Sequence, residues 1–353
     1  MGALVLAAIL VMPLATMLSP AAQRARLLTA VLFCLAVCSC LCAINPAFDT
    51  VFASPSLSLS LHPALLHPVL LAGAVSSATA NDRPGSSPRH GTFAARGALF
   101  GLVLGLPMAT WLSTKFPQPV SFVVAAYFTA GIGIWMMLRH RRRSLAHAVV
   151  TAPALPIRLT DVIWVSLAAT TLQYAAMFSV FSNSLRLLTD QPAIDFSFAS
   201  LLMVLFGVGG IAGALLTGRL LRNQPALTAL FHPIALVFVY VQLYLFAHGP
   251  DALTAAAVLG WGAAHTGGML ATHSTLRALA PERPEVMTAM HVCAACVGVL
   301  TGVSAAAIFA SVFGTTGFLL CGAALSICSL AAVATQLSKM ERDAPIVAPD
   351  STD

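Results

Sequence analysis

Apolar runs of about twenty residues, separated by short charged or Pro- and Gly-rich breaks, occupy most of this chain. A helix of that length crosses the hydrocarbon core of a bilayer, because each residue advances it by about 1.5 Å. Only 8% of the residues are charged, against about a quarter in soluble domains. The runs are continuous rather than alternating, which argues against a membrane β-barrel. The sequence therefore predicts an all-α, multi-pass membrane protein.

Eleven such runs mark the candidate membrane spans, and the positions of the basic residues support this count. If successive connections lie on alternate sides of the bilayer, 16 of the 18 Lys and Arg residues fall on one side. The other side receives only Lys115 and Arg186. The positive-inside rule then predicts a cytoplasmic C-terminus in a protein of the cell membrane. The spans begin at about Ala3, Leu27, Leu61, Gly97, Pro119, Thr160, Phe196, Pro225, Ala252, Glu285 and Gly314.

The longest polar connection contains the basic run at 139–143 and divides the spans into five before it and six after it. Many secondary transporters consist of two similar bundles that rock about a midplane site, so this division indicates a six-plus-six protein without its first helix. We expect Met1 to be an internal or misassigned start, which a further apolar run encoded upstream in frame would confirm. The expected domains are an N-terminal bundle (1–138), a basic cytoplasmic linker (139–158), a C-terminal bundle (159–338) and a cytoplasmic tail (339–353).

Glycines recur at helical spacing in three of the runs. Small residues at this spacing let helix backbones approach closely, because helix contact in lipid is won by packing. On spacing alone, ordinary helix packing is favoured over a special functional role. The residues concerned are Gly97, Gly101 and Gly105 with nearby Pro107, Gly209 with Gly213, and Gly298 with Gly302.

The order and spacing of these motifs resemble the major facilitator superfamily, specifically its twelve-helix branch of proton-coupled drug, sugar and nucleoside exporters. The resemblance covers most of the chain from Gly97 onward and numbers the first span here as the second helix of the family. Gly97, Gly105 and Pro107 match the glycine-proline motif of the fifth helix. The segments 206–223, 261–285 and 289–302 resemble the eighth helix, the tenth helix with its following loop, and the eleventh helix.

The resemblance implies a secondary active transporter that exports a small organic solute of the drug, sugar or nucleoside class by alternating access. It also implies proton coupling, which belongs to this branch. In the family the fifth and eighth helices form one side of the seam between the halves, and the second and eleventh helices form the other. The glycines of the fifth, eighth and eleventh helices are therefore expected at that seam, where they would permit rigid-body rocking.

Several positions depart from the family pattern. The segment LSPAAQRAR lacks the acid of the cytoplasmic latch, and His67 or Pro68 occupies the neighbourhood of an Arg that is tied to proton coupling. The seventh helix reads FSVFSNSLRLL where the branch tends to have a Tyr and a Pro. These departures leave open a decayed or regulatory paralogue that inserts without transporting. An intramembrane enzyme is less favoured, because no span contains paired acids, an HExxH motif or a nucleophile beside a base.

Ionisable and polar residues inside the spans are the candidates for the substrate or proton pathway. The carboxylates lie almost entirely in the connections, which leaves histidine as the side chain that changes charge near neutral pH. His265 falls near mid-depth of the ninth span, and His273 and His291 are expected at similar depth on neighbouring helices. The alternative for each is a packing hydrogen bond to another helix. The full set of candidates is Gln173, Tyr174, His265, His273, His291 and Cys296.

Few other partners are expected. The net charge of +6 is distributed as short clusters between the apolar runs, which indicates membrane topology rather than nucleic-acid binding. The segment HVCAAC superficially suggests a metal site, but thiols three residues apart in a helix of small residues favour packing. We expect a monomer in the lipid bilayer that acts on a small molecule and, as the resemblance implies, on protons, without cofactor or metal.

Overall fold

The computed structural model describes residues 21–44, 115–143, 159–190, 194–246, 251–281 and 284–343. The predicted spans near Ala3, Leu61 and Gly97 lie outside these residues, as do Gly97, Gly101, Gly105 and Pro107. Within them the helices are α1 (Ala21–Ile44), α2 (Gln118–Arg143), α3 (Asp161–Phe181), α4 (Ser184–Thr189), α5 (Phe196–Asn223), α6 (Pro225–Phe246), α7 (Asp251–Ala278), α8 (Pro284–Phe313) and α9 (Thr316–Asp343).

Six of the described helices are long and apolar enough to cross a bilayer, namely α2, α3, α5, α6, α8 and α9. Helix α7 has 28 residues, but glycine, threonine and histidine lower its hydropathy. Helix α1 carries a shorter apolar segment, Thr29–Leu41. The all-α membrane fold is thereby confirmed, whereas the total of eleven spans stays a prediction.

The helix boundaries follow local signals in the sequence. Asp195 caps α5, because its side-chain oxygen accepts a hydrogen bond from the backbone N–H of Phe198 at 2.7 Å. Pro225 begins α6, and proline suits this position because the first N–H of a helix has no hydrogen-bond partner within the helix. Gly314 separates α8 from α9 with a φ of 61°, which glycine adopts without steric strain.

Helices α3 to α9 form the second bundle. Helix α3 packs against α8 and α9, α5 packs against α7, and α6 packs against α7 and α9. Large side chains such as Met177, Phe206 and Trp261 fill the interior, and the Tyr240 hydroxyl donates a hydrogen bond to the carbonyl of Ala176 at 2.9 Å. In the first half, α1 packs against α2.

The second bundle buries several polar side chains within its largely apolar interior and presents apolar side chains on its outer faces. Gln173, His232, His265 and His291 are all buried, whereas exposed apolar side chains cover the outward faces of the helices. Lipid accounts for this arrangement, because acyl chains solvate apolar groups and satisfy no polar ones. The exposed side chains include Leu215, Phe238, Leu245, Ile308 and Ile327.

Candidate functional site

Four of the predicted seam glycines make close backbone contacts. A Cβ at Gly209 or Gly213 of α5 would overlap the backbone of α7 at Leu259 or Ala263. A Cβ at Gly298 or Gly302 of α8 would likewise overlap the backbone of α3, at Thr171 or Ala175 respectively. Only glycine permits these helix pairs to approach so closely.

Among the described residues, the close contacts of the four glycines all lie within the second bundle. They join α5 to α7 and α3 to α8, which are pairs within the second bundle, rather than the two bundles to each other. The glycine spacing indicated a close helix neighbour but carried no information about which helix it is. Most of the first bundle lies outside the described residues, so the seam role for Gly209, Gly213, Gly298 and Gly302 stays a prediction.

A polar cluster lies where α3, α7 and α8 meet. The Tyr174 hydroxyl lies 3.2 Å from Nε2 of His291. The His291 ring contacts the His273 ring edge to face, with centroids 5.1 Å apart. His273 Nε2 lies 3.4 Å from the Thr288 hydroxyl, at the long end of a hydrogen bond. The expectation that His273 and His291 share a depth on neighbouring helices is confirmed.

His265 belongs to a different environment, an aromatic box formed by three phenylalanine rings. Its ring centroid lies 5.4 Å from Phe178, 5.1 Å from Phe181 and 5.4 Å from Phe206. Neither ring nitrogen of His265 has a hydrogen-bond partner among the described residues. Phe178 separates His265 from Tyr174, so aromatic carbon rather than a hydrogen bond connects the box to the polar cluster.

The remaining candidates bond or face other helices of the same bundle. Gln173 and Tyr174 are consecutive, so their side chains diverge by about 100° around the helix. Gln173 accepts a hydrogen bond at Oε1 from the Ser329 hydroxyl of α9 at 2.8 Å, whereas Tyr174 faces α8. Cys296 is partly exposed on α8 and lies within electrostatic range of the Tyr174 hydroxyl. In the described residues no group of three or more His, Cys, Asp or Glu side chains can hold a metal ion.

His232 of α6 is a buried polar residue that the sequence analysis did not select. Its Nε2 lies 3.1 Å from the Thr217 hydroxyl of α5, and its ring occupies space that a side chain at Gly267 of α7 would fill. The sequence did contain a signal for this site, namely the pair His232–Pro233 inside an apolar run. A proline in mid-helix and a histidine inside a membrane span both cost free energy, so their presence together indicates a specific role.

The arrangement of the described helices is that of the major facilitator fold, which is the fold that the resemblance in the sequence implies.

Solved structures support this assignment at low sequence identity. A bacterial homologue of the iron transporter ferroportin superposes with a TM-score of 0.67 at 13% identity, covering 95% of this chain and 89% of that one. The human organic anion transporter MFSD10 gives 0.65 at 14% identity, covering 93% and 80%. The fucose:proton symporter FucP of E. coli gives 0.59 at 12% identity, covering 95% and 90%.

A curated relative is similar in sequence. A probable sugar efflux transporter of Mannheimia succiniciproducens is 25% identical over 198 residues, which are 56% of this chain and 49% of the relative. The match thus spans about half the length of that protein. No protein-family model matches the chain.

Proposed function

We propose that this protein is a secondary transporter that exports a small organic solute by alternating access, with sugars as the first class to test. The observation that carries the proposal is the match over 198 residues to a probable sugar efflux transporter. The superfamily fold is consistent with it, since two rocking bundles expose a midplane site to each side in turn.

The polar cluster of Tyr174, His273, Thr288 and His291 is the proposed contact region for substrate and proton. Sugars carry many hydroxyls, and a site that recognises them needs several donors and acceptors in an otherwise apolar setting. Hydroxyl and imidazole groups supply both functions. Cys296 and Thr171 are partly exposed next to the cluster, on α8 and α3, and extend it toward the bundle surface.

The imidazole pair is also the proposed proton carrier. No carboxylate lies deep in a described span, so a proton that crosses with the substrate needs another acceptor. The His273 and His291 rings are in contact. Two positive charges at that distance repel strongly in a low-dielectric interior, so the pair is suited to hold one proton at a time.

Efflux from cells that express the full chain tests the proposal. Cells are loaded with labelled sugars, a nucleoside or a fluorescent dye, and retention is followed at several external pH values. We expect expression to lower retention of at least one sugar, and His291→Asn and His273→Asn to reduce that efflux and flatten its pH dependence. Thr301→Ala is the control, because Thr301 is exposed on α8 and bonds only carbonyls of its own helix.

Each outcome of this experiment has a defined meaning. Unchanged efflux and unchanged pH dependence in both histidine variants would reject the proton-carrier assignment while leaving transport intact. Equal retention of every solute with and without expression, at normal membrane levels of the protein, would favour the paralogue without transport activity.

A further inference from the structure

A small, partly open cavity lies in the second bundle, between α3, α6, α7 and α9, and it is separate from the cluster around His291. Its volume is about 20 Å³. That is room for one water molecule, which needs about 10–15 Å³ by this measure. The polar side chains that line it are Ser166, Thr170, Gln173, His232, Thr272, Thr275 and Gln336.

Three buried polar atoms in this lining lack a partner among the described residues: Oγ of Ser166, Nε2 of Gln173 and Nδ1 of His232. Each of the three residues is at most 3% exposed. The backbone of Ala264 lies close to His232, but it forms no hydrogen bond of acceptable geometry with Nδ1. An unsatisfied buried polar group costs about 1–3 kcal/mol, so three around one cavity call for a ligand.

Two glycines of α7 leave space beside these polar groups, and a proline in α6 removes one backbone hydrogen bond next to them. A Cβ at Gly268 would lie 2.8 Å from Nε2 of Gln173, and a Cβ at Gly267 would lie 3.1 Å from Nδ1 of His232. Pro233 has no N–H, so the carbonyl of Ala229, four residues earlier in α6, loses its helical donor. Ala229 also lines the cavity.

The chemistry of the lining selects the ligand. It offers both donors and acceptors and, within the described residues, no carboxylate. A bare cation in such a low-dielectric site would lack a compensating charge. An apolar ligand would leave the three polar atoms unsatisfied. We infer that one ordered water molecule binds here, bridging Ser166 and Gln173 of α3 to His232 of α6.

The water adds a second polar link between α3 and α6, beside the hydrogen bond from Tyr240 to the carbonyl of Ala176. Gln173 is already held by Ser329 of α9 and His232 by Thr217 of α5. Through the bound water, the Ser329–Gln173 pair and the His232–Thr217 pair form one continuous chain of hydrogen bonds across α9, α3, α6 and α5. Such a chain favours movement of these helices as a single body. This inference does not depend on which solute the protein carries.

Water-edited solid-state NMR of the full chain in lipid vesicles tests the inference directly. The chain is uniformly labelled with ¹³C and ¹⁵N, and magnetisation is transferred from water to the histidine ring nitrogens. We expect the His232 ring to gain signal several-fold faster than the His265 ring, which is also buried, lies in the aromatic box and has no partner at either ring nitrogen among the described residues. Sequential backbone correlations assign both rings, so this comparison requires no variant.

Variants and a change of salt complete the test. Ser166→Val should slow the transfer to His232, whereas Ser326→Ala should not, because Ser326 is buried but bonds only Gly322 in its own helix. Transfer to His232 as slow as that to His265 would overturn the inference. A His232 resonance that shifts when sodium replaces potassium would also overturn it, because a cation would then occupy the site.

Discussion

Gly213 and Gly218 are five residues apart in α5, yet an added methyl group meets different surroundings at each. At Gly213 it would overlap the backbone of α7, and at Gly218 it would meet nothing within 4 Å. We expect Gly213→Ala to destabilise the bundle by about 1–3 kcal/mol, because backbone cannot yield as a side chain tip can. Gly218→Ala should be neutral or stabilising, since alanine favours the helix by about 1 kcal/mol.

Thermal unfolding of the purified protein in detergent measures this difference. A lower melting temperature for Gly213→Ala alone is the expected result. Equal melting temperatures for the two variants would mean that α5 and α7 do not touch at Gly213.

Tyr174 provides a second test at the scale of one atom. Tyr174→Phe removes the hydroxyl that pairs with His291 and leaves its buried Nε2 without that partner. The expected loss of unfolding free energy is about 1–3 kcal/mol. Tyr244→Phe, on the exposed face of α6, makes the same chemical change without a buried partner and serves as the control. If both substitutions shift the melting temperature equally, the Tyr174–His291 bond contributes nothing.

Sequence alone located some of these residues but not their partners. His273 and His291 could be brought together because they lie at equal depth on consecutive spans that run in opposite directions. His232 escaped notice because its neighbours, Thr217 and Gly267, come from two other helices. A buried contact of this kind depends on which helix faces which, and hydropathy does not carry that information.

Helix positions were far more predictable than helix partners. The starts predicted at Phe196 and Pro225 coincide with those of α5 and α6, since Asp195 and Pro225 are strong local signals. The start near Leu27 differs by six residues from Ala21, where α1 begins. The first turns of α1 contain Arg24 and Arg26 and precede the apolar run. A hydropathy pattern locates the apolar run alone, so it misses these charged turns.

The pairing of α1 with α2 is testable by crosslinking. A Cβ at Gly133 would lie 3.5 Å from Cβ of Leu32, within disulfide range. In a background without the native cysteines, we expect Leu32→Cys with Gly133→Cys to crosslink on oxidation. Leu32→Cys with Gly131→Cys is the control, because Gly131 has no neighbour within 4 Å. Protection from a maleimide mass tag reports the bond, and equal protection of both pairs would contradict the packing.

Each end of the second bundle carries a polar contact between two helices. At one end Lys339 contacts Asp161 at 3.3 Å, and at the other the Thr315 hydroxyl donates to Asp190 at 2.5 Å. The charge distribution predicts that the first end is cytoplasmic. Both contacts are exposed, so they mark the ends of the bundle without adding much stability.

Single cysteines at exposed positions near the two ends test this topology. In intact cells, a membrane-impermeant maleimide should label Ser311→Cys, near the Thr315 end. It should label Ser338→Cys, near Lys339, only after the membrane is opened. The reverse pattern would invert the orientation and with it the cytoplasmic position of residues 139–158.

At the scale of the whole molecule, the sequence predicted the all-α membrane fold, because apolar runs and their order are properties of the entire chain. It did not predict how the glycines are used, since the same spacing serves contacts within a bundle and between bundles. Gly302 illustrates this point: its close neighbour is Ala175 of the same bundle.

Counterflow in proteoliposomes tests the transport function most directly, because it requires neither a proton gradient nor a known direction of export. Vesicles containing the purified chain are loaded with an unlabelled sugar and diluted into a trace of the same sugar in labelled form. A transporter should produce a transient, saturable accumulation of label above that in protein-free vesicles. Uptake identical to protein-free vesicles for every sugar, nucleoside and dye tried would contradict the proposed function.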